Sequence, residues 1–173
     1  MKPAILTCVG DIARALGPQF ESCLQVVMNM LMHASKAAMH EPSDEDEMDH
    51  LITLRSCILQ AYAGILQGMD SKAALLQPFA ESIVALVAAI ANSSNTDAGF
   101  DVELSVETLG VLVDLLCAFD TMGSYIQQQQ GIVGFVLKCV SFQDDNEDTP
   151  PMLKENALLC KTKIEKQAGV KLA

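Results

Sequence analysis

Two adjacent stretches, Leu51–Met69 and Ser71–Ser93, constrain this chain more than any other feature. In the first, Leu51, Leu54, Ile58, Ala61, Ile65 and Met69 recur at steps of three and four, and Cys57, Tyr62 and Leu66 widen the same stripe. That spacing is one apolar face of an α-helix. Gly68–Ser71 breaks the pattern, Gln77-Pro78 marks a second helix, and Ile83, Val84, Leu86, Val87 and Ile90 carry it to Asn92. Proline fits the first helical turn, where its missing N–H leaves no bond unmade. The pair reads as an αα-hairpin, which cannot bury both of its faces alone and is stabilised by stacking on others like it.

The rest of the chain repeats that theme. Lys2-Pro3 opens a helix with Ala4, Ile5, Cys8, Ile12, Ala15 and Leu16 as its apolar stripe, and Gly17-Pro18 ends it. Gln19–Lys36 is a second helix, apolar over a broad arc. His40–His50 reads as a loop carrying the acidic block Asp44, Glu45, Asp46 and Glu47, which also suits the dipole of the coming helix. Asn92–Gly99 is a polar loop, and Phe100–Phe119 and Tyr125–Phe142 are the next pair of helices. The run Gln127–Gln130 reads as ordinary helical surface. Gln143–Thr149 is a second acidic loop, Met152–Gln167 a final helix, and Ala168–Ala173 a fraying tail. First helices overlay on Ile12, Ile65, Leu115 and Ile164, about fifty residues apart. Second helices overlay on Leu24-x-x-Val27, Ile83-x-x-Leu86 and Ile132-x-x-Phe135. The expected fold class is all-α: an α-solenoid of about three αα-hairpins plus a final helix, in one array with approximate units 2–38, 48–93, 100–142 and 150–167. A closed bundle of six or seven helices is the alternative.

Charge narrows the function. A net charge of −11 argues against nucleic-acid binding, which rests on Lys and Arg neutralising phosphates. It suits a basic partner, and equally a surface that keeps an apolar-rich chain dispersed. The longest apolar run, Ile83–Ala91, has nine residues, so no membrane span is expected, and no signal peptide opens the chain. The six cysteines form no C-x-x-C pair and read as small buried hydrophobes of a reducing compartment. His33, His40 and His50 share no ligand spacing with them, so neither metal nor cofactor is expected. No phosphate loop or nucleophile elbow occurs, and pairings such as Ser22 with His33, or a cysteine with His50, arise by chance; an enzyme is not expected.

The second helices carry polar stripes fit for a concave binding face: Ser22, Gln25, Asn29, His33 and Lys36; Glu81, Ala85, Ala88 and Asn92; Gln127, Gly131, Gly134 and Lys138. The simpler alternative is that these are the solvent sides of packed helices.

Several segments carry a family resemblance. They are Lys2-Pro3-Ala4-Ile5-Leu6 with Gly10-Asp11-Ile12-Ala13, Leu24–Ala34, and Leu54-Arg55-Ser56-Cys57 with Gln60-Ala61-Tyr62 and Gly64–Gly68. Leu76-Gln77-Pro78 with Ile83 and Ile90-Ala91, and Leu109–Phe119, continue it over almost the whole chain. Together they resemble the importin-β family of nuclear transport receptors. The resemblance implies a HEAT-repeat superhelix taken from the C-terminal end of a longer receptor, working in cytoplasm and nucleus and at the nuclear pore. It implies a concave face that holds the basic segment of importin-α or of a cargo, with Glu21, Gln25, Asn29, Glu81 and Asn92 as contact residues and Asp44–Glu47 steering the partner electrostatically. Ran-GTP and FG nucleoporins, as partners of the full-length receptor, fall mainly outside this chain. The sequence departs from the family at Cys160, where the family has an aromatic residue, and at Gln143–Thr149. A generic HEAT scaffold unrelated to transport is the competing function. The apolar side of the first helix, where further repeats would stack, predicts self-association.

Overall fold

A computed structural model describes residues 3–40, 42–96, 99–143 and 150–172, and among them it contains helices and no strand. Most of the second acidic loop, including Asp144, Asp145, Glu147 and Asp148, lies outside the described residues. The helices are α1 Pro3–Leu16, α2 Glu21–Ala37, α3 Glu45–Gly68, α4 Ala80–Ser94, α5 Val102–Ala118, α6 Met122–Gln127, α7 Gln130–Ser141 and α8 Pro151–Ala168. The chain divides into two compact units, Met1–Leu86 and Val87–Ala173, with the division falling within α4.

In the first unit α1 packs along α3 with backbones almost touching. A Cβ placed on Gly10 would stand 2.7 Å from the carbonyl oxygen of Gln60, and one on Gly68 would stand 2.3 Å from that of Ala13. With Gly64, these glycines let the two backbones approach where a Cβ would stand between them. This approach turns α1 the opposite way from its apolar periodicity. Leu6, Gly10 and Ala13 face inward and are buried. The expected stripe faces outward: Ile5 is 52% exposed, Ile12 50% and Leu16 42%, with Cys8 and Ala15 exposed beside them.

Gly17, with φ +54°, makes the turn out of α1, and a short 3₁₀ segment, Gly17–Phe20, leads into α2. The end of α2 is held by Arg55. This side chain is 2% exposed, and its guanidinium donates to the carbonyls of Ala38 (3.0 Å) and His40 (3.5 Å), at the negative end of the helix. Ser35 of α2 and Tyr62 of α3 share a buried hydrogen bond of 2.9 Å.

The acidic block is less of a loop than its composition suggests, because α3 begins within it. Asp44 is the N-cap, its carboxylate accepting the Glu47 N–H at 2.8 Å, and Glu45, Asp46 and Glu47 form the first turn. After α3 the chain runs through a 3₁₀ stretch, Asp70–Phe79, before α4, with Lys72 in a non-helical conformation inside it. Asp70–Ser94 contains an 18-residue window as apolar as a membrane span, longer than the run visible in the sequence. Its apolar residues Leu76, Phe79, Ile83, Val84 and Leu86 are buried in the folded chain, as those of a core helix are.

In the second unit the expected helix Tyr125–Phe142 is two helices, α6 and α7, broken at Gln128-Gln129. The glutamine run is therefore a bend, not plain helical surface. The two halves have different anchors. Gln167 of α8 holds the start of α6, its amide oxygen accepting the Gly123 N–H at 2.6 Å while its NH₂ donates to the Leu116 carbonyl at 2.8 Å. Meanwhile α7 is tied to the end of α4: Asn95 donates to the Gly131 carbonyl at 3.1 Å, and Lys138 Nζ donates to the carbonyl of Ser94 at 3.0 Å and lies over the Phe100 ring. The buried side of α8, Leu153, Ala157, Cys160 and Ile164, belongs to the core, and α8 packs on α5. The tail does not fray as far as residue 172: Gly169 ends α8 in the left-handed conformation, Leu172 donates its N–H to the Glu165 carboxylate, and its side chain is buried.

The cysteines divide where the sequence reading grouped them. Cys139 and Cys160 are buried, Cys23 and Cys57 half-buried, and Cys8 and Cys117 exposed. Burial pushes the Cys139 thiol up to about 12 and that of Cys160 higher still, so both are inert packing groups.

Candidate functional site

The exposed polar face of the first unit begins with Glu21, in the first turn of α2. Its carboxylate is ion-paired with Lys72, from the 3₁₀ stretch 51 residues on. The pair borders a cavity of about 530 Å³ that is also lined by Pro18, Gln19 and Ser22. One turn along, the Gln25 amide donates to the Asn29 side-chain oxygen at 3.1 Å, both residues exposed, with Val26 beside them 74% exposed. At the far end of α2, Met32, Ser35, Lys36 and Met39 line a cavity of about 190 Å³ with Ser82 and Ala85 of α4. Glu81, exposed in the first turn of α4, precedes that pair.

Ser82, next to Glu81, thus lies by the end of α2 away from Glu21. Glu21 and Lys36 are separated by about 15 residues, or roughly 22 Å of helix. The face carries one carboxylate towards each end, an amide pair in between, and the Lys36 ammonium near the second acid. His33, expected on the same stripe, falls on the other edge. It lines a cavity of about 410 Å³ with Met30, Ala34 and Ala37 of α2 and with His50 and Leu54 of α3. Ser22, donating to the Gln19 carbonyl at 3.2 Å, and His33 are not brought together.

Asn92 lies in the second unit. It is exposed, yet a Cβ on Gly131 would stand 2.0 Å from its side-chain oxygen, so one side of the amide abuts α7. The third expected stripe is a packing seam: Gly131 lies against Asn92, Gly134 against Asn95, and Lys138 caps the end of α4. Within the acidic block, Glu47 is committed internally. Its carboxylate accepts from the Ser43 N–H (2.7 Å) and hydroxyl (2.6 Å), and from His40 Nε2 at 3.0 Å. Those bonds, the Ser43 hydroxyl's foremost, lower its pKa from 4.5 to about 2. Glu45 and Asp46 stay exposed.

No group of three or more metal-ligating side chains occurs among the described residues. Lys72 is the functional neighbour that sequence reasoning missed. It sits in a stretch read only as a helix break, and no periodicity marks an ion pair across 51 residues.

A family model described as importin subunit beta-1-like, TPR repeats, matches residues 1–139. Importin subunit beta-1 of Arabidopsis thaliana is 37% identical over 152 residues, which are 83% of this chain and 17% of that protein. A crystal structure of importin beta in an ammonium sulfate condition superposes with TM-score 0.82 at 31% identity, covering 96% of this chain and 19% of that one. The complex of Kap95 with Nup1 gives TM-score 0.81 at 22% identity over 98% of this chain and 19% of that one, a likeness of fold alone. The fold is thus an α-solenoid of HEAT repeats and not a closed bundle. The chain spans about a sixth of the length of the relative from Arabidopsis. Matched by the family model over most of its length and 37% identical to a curated member across 83% of it, this chain belongs to the importin subunit beta-1 family.

Proposed function

We propose that this chain is part of a nuclear transport receptor and that the exposed face of α2 and the start of α4 holds a Lys/Arg-rich helical segment of importin-α or of a basic cargo. The observation that carries this reading is the placing of Glu21 and Glu81 towards opposite ends of α2, with the Gln25–Asn29 amide pair between. A basic helix of about four turns spans that distance, reaching one carboxylate near each end. A net charge of −11 adds long-range attraction. Glu45 and Asp46 steer the approaching partner, with Asp44 and Glu47 largely spent on the start of α3.

The receptor acts by binding, without catalysis, between cytoplasm and nucleus and at the nuclear pore. Ran-GTP and FG nucleoporins are its further partners, engaged mainly by segments beyond this chain. Membership of the importin subunit beta-1 family supports this reading.

The test is titration with a Lys/Arg-rich importin-α N-terminal peptide beside a scrambled peptide of equal charge, at low and physiological salt. Preference for the native order that survives physiological salt, and that Glu21→Lys and Glu81→Lys abolish, is the expected result. Equal binding of both peptides, vanishing with salt, would leave an acidic HEAT scaffold with no assigned partner.

A further inference from the structure

The last helix carries a charge opposite to that of the chain. Five of the chain's 11 Lys and Arg, namely Lys154, Lys161, Lys163, Lys166 and Lys171, fall in residues 151–173, against only Glu155 and Glu165 of its 22 acids. None of these lysines is ion-paired among the described residues. The same helix, α8, exposes large apolar side chains: Met152 is 55% exposed, Leu158 52% and Leu159 43%. It cannot roll to hide them, because its other face, from Leu153 to Ile164, already fills the core.

The two features share a register. Lys154 and Lys161 stand four residues before and three after Leu158, and Lys163 and Lys166 stand four and seven after Leu159. Positions at those steps share a helix face, so each exposed leucine is bracketed by ammoniums. Apolar anchors rimmed by cations fit a partner whose apolar stripe is rimmed by carboxylates. We propose that the outer face of α8 is a docking surface for an acidic amphipathic helix of another protein. This partner is opposite in charge to the one assigned to the face of α2, and its site is separate. A bilayer fits less well. Glu155, Thr162 and Lys166 are exposed on the arc between Leu158 and Leu159, and hydrocarbon offers them no partner.

The experiment uses one helical peptide template with leucines at steps of three and four. It is made in three versions, with glutamate, glutamine or lysine flanking the leucines. Each is titrated against the full chain at physiological salt, with NMR following the amides of α8, and vesicles containing phosphatidylserine are a fourth probe. The proteins are wild type, Leu158→Ser with Leu159→Ser, Lys154→Glu, and Lys36→Glu as an equal change of charge elsewhere. The glutamate version should bind best and shift the amides of residues 152–166. The double leucine variant should weaken it about tenfold, with helicity by circular dichroism unchanged because both leucines are already exposed. Lys154→Glu should weaken it about fivefold, and Lys36→Glu by less than about twofold. Equal binding of the three peptides, no binding of the glutamate version, or a glutamate preference that survives loss of the leucines would overturn the proposal. Vesicle binding that depends on the leucines, without peptide binding, would overturn it in favour of a membrane contact.

Discussion

Gly10 of α1 and Gly64 of α3 meet backbone to backbone: a Cβ on Gly64 would stand 2.4 Å from both the Cα and the carbonyl oxygen of Gly10. No relaxation of a flexible side chain relieves such a contact, because the atoms in the way are main chain. Gly64→Ala is expected to destabilise the first unit by about 2–3 kcal/mol, as overpacking does. Gly110, in α5, has nothing within 4 Å of its would-be Cβ. Gly110→Ala should stabilise by about 0.5–1 kcal/mol through helix propensity and the unfolded chain's lost freedom. Urea denaturation of the two variants measures the contrast, and a Gly64→Ala protein as stable as wild type would refute the close crossing.

Arg55 is a buried cation that donates to carbonyls at the end of α2, and burial lowers its pKa. Arg55→Ala leaves those acceptors unmet and opens a void, with an expected cost of about 2–4 kcal/mol. Tyr62→Phe removes only the hydroxyl that meets Ser35, so about 1–2 kcal/mol is expected. Thermal or urea unfolding should rank the two in that order.

Glu47 makes the start of α3 acid-sensitive. Its folded pKa is depressed below the ordinary 4.5 to about 2, so the carboxylate's contribution is complete above 4.5 and is lost as pH falls through about 2. Protection factors of the amides at residues 45–48, taken against intrinsic exchange at each pH, should fall across that interval. Glu47→Gln should show the lower protection at neutral pH already, with little further change on acidification.

The outward stripe of Ile5, Ile12 and Leu16 should make this chain self-associate. Light scattering is expected to show mass rising with concentration, and Ile5→Ser with Ile12→Ser to reduce that rise without lowering stability. A monomer at every concentration would count against it.

Much of the architecture was legible because helix formation is local. The steps of three and four in Leu51–Met69 predict α3, and Gln77-Pro78 and Gly17-Pro18 mark neighbouring transitions to within a few residues. The same logic failed in α1. There the more apolar stripe, Ile5–Ile12–Leu16, is not the buried one, because three glycines and Ala13 offer a closer fit to α3. It failed again at Gln128-Gln129, where no breaker residue announces the bend between α6 and α7.

The candidate site divides in the same way. Glu21, Gln25 and Asn29 were legible as one stripe because positions three and four apart share a helix face. That Glu21 is already neutralised by Lys72, that Asn92 abuts Gly131, and that Glu47 is spent on Ser43 were not. By itself the sequence determined that the chain is helical, that its helices come in pairs, and that its acidic surface suits a basic partner. Periodicity and charge are properties of neighbours in the chain. Only the tertiary structure decided which face turns inward and which carboxylates remain free, because both depend on backbone approach and on ion pairs between residues some fifty positions apart.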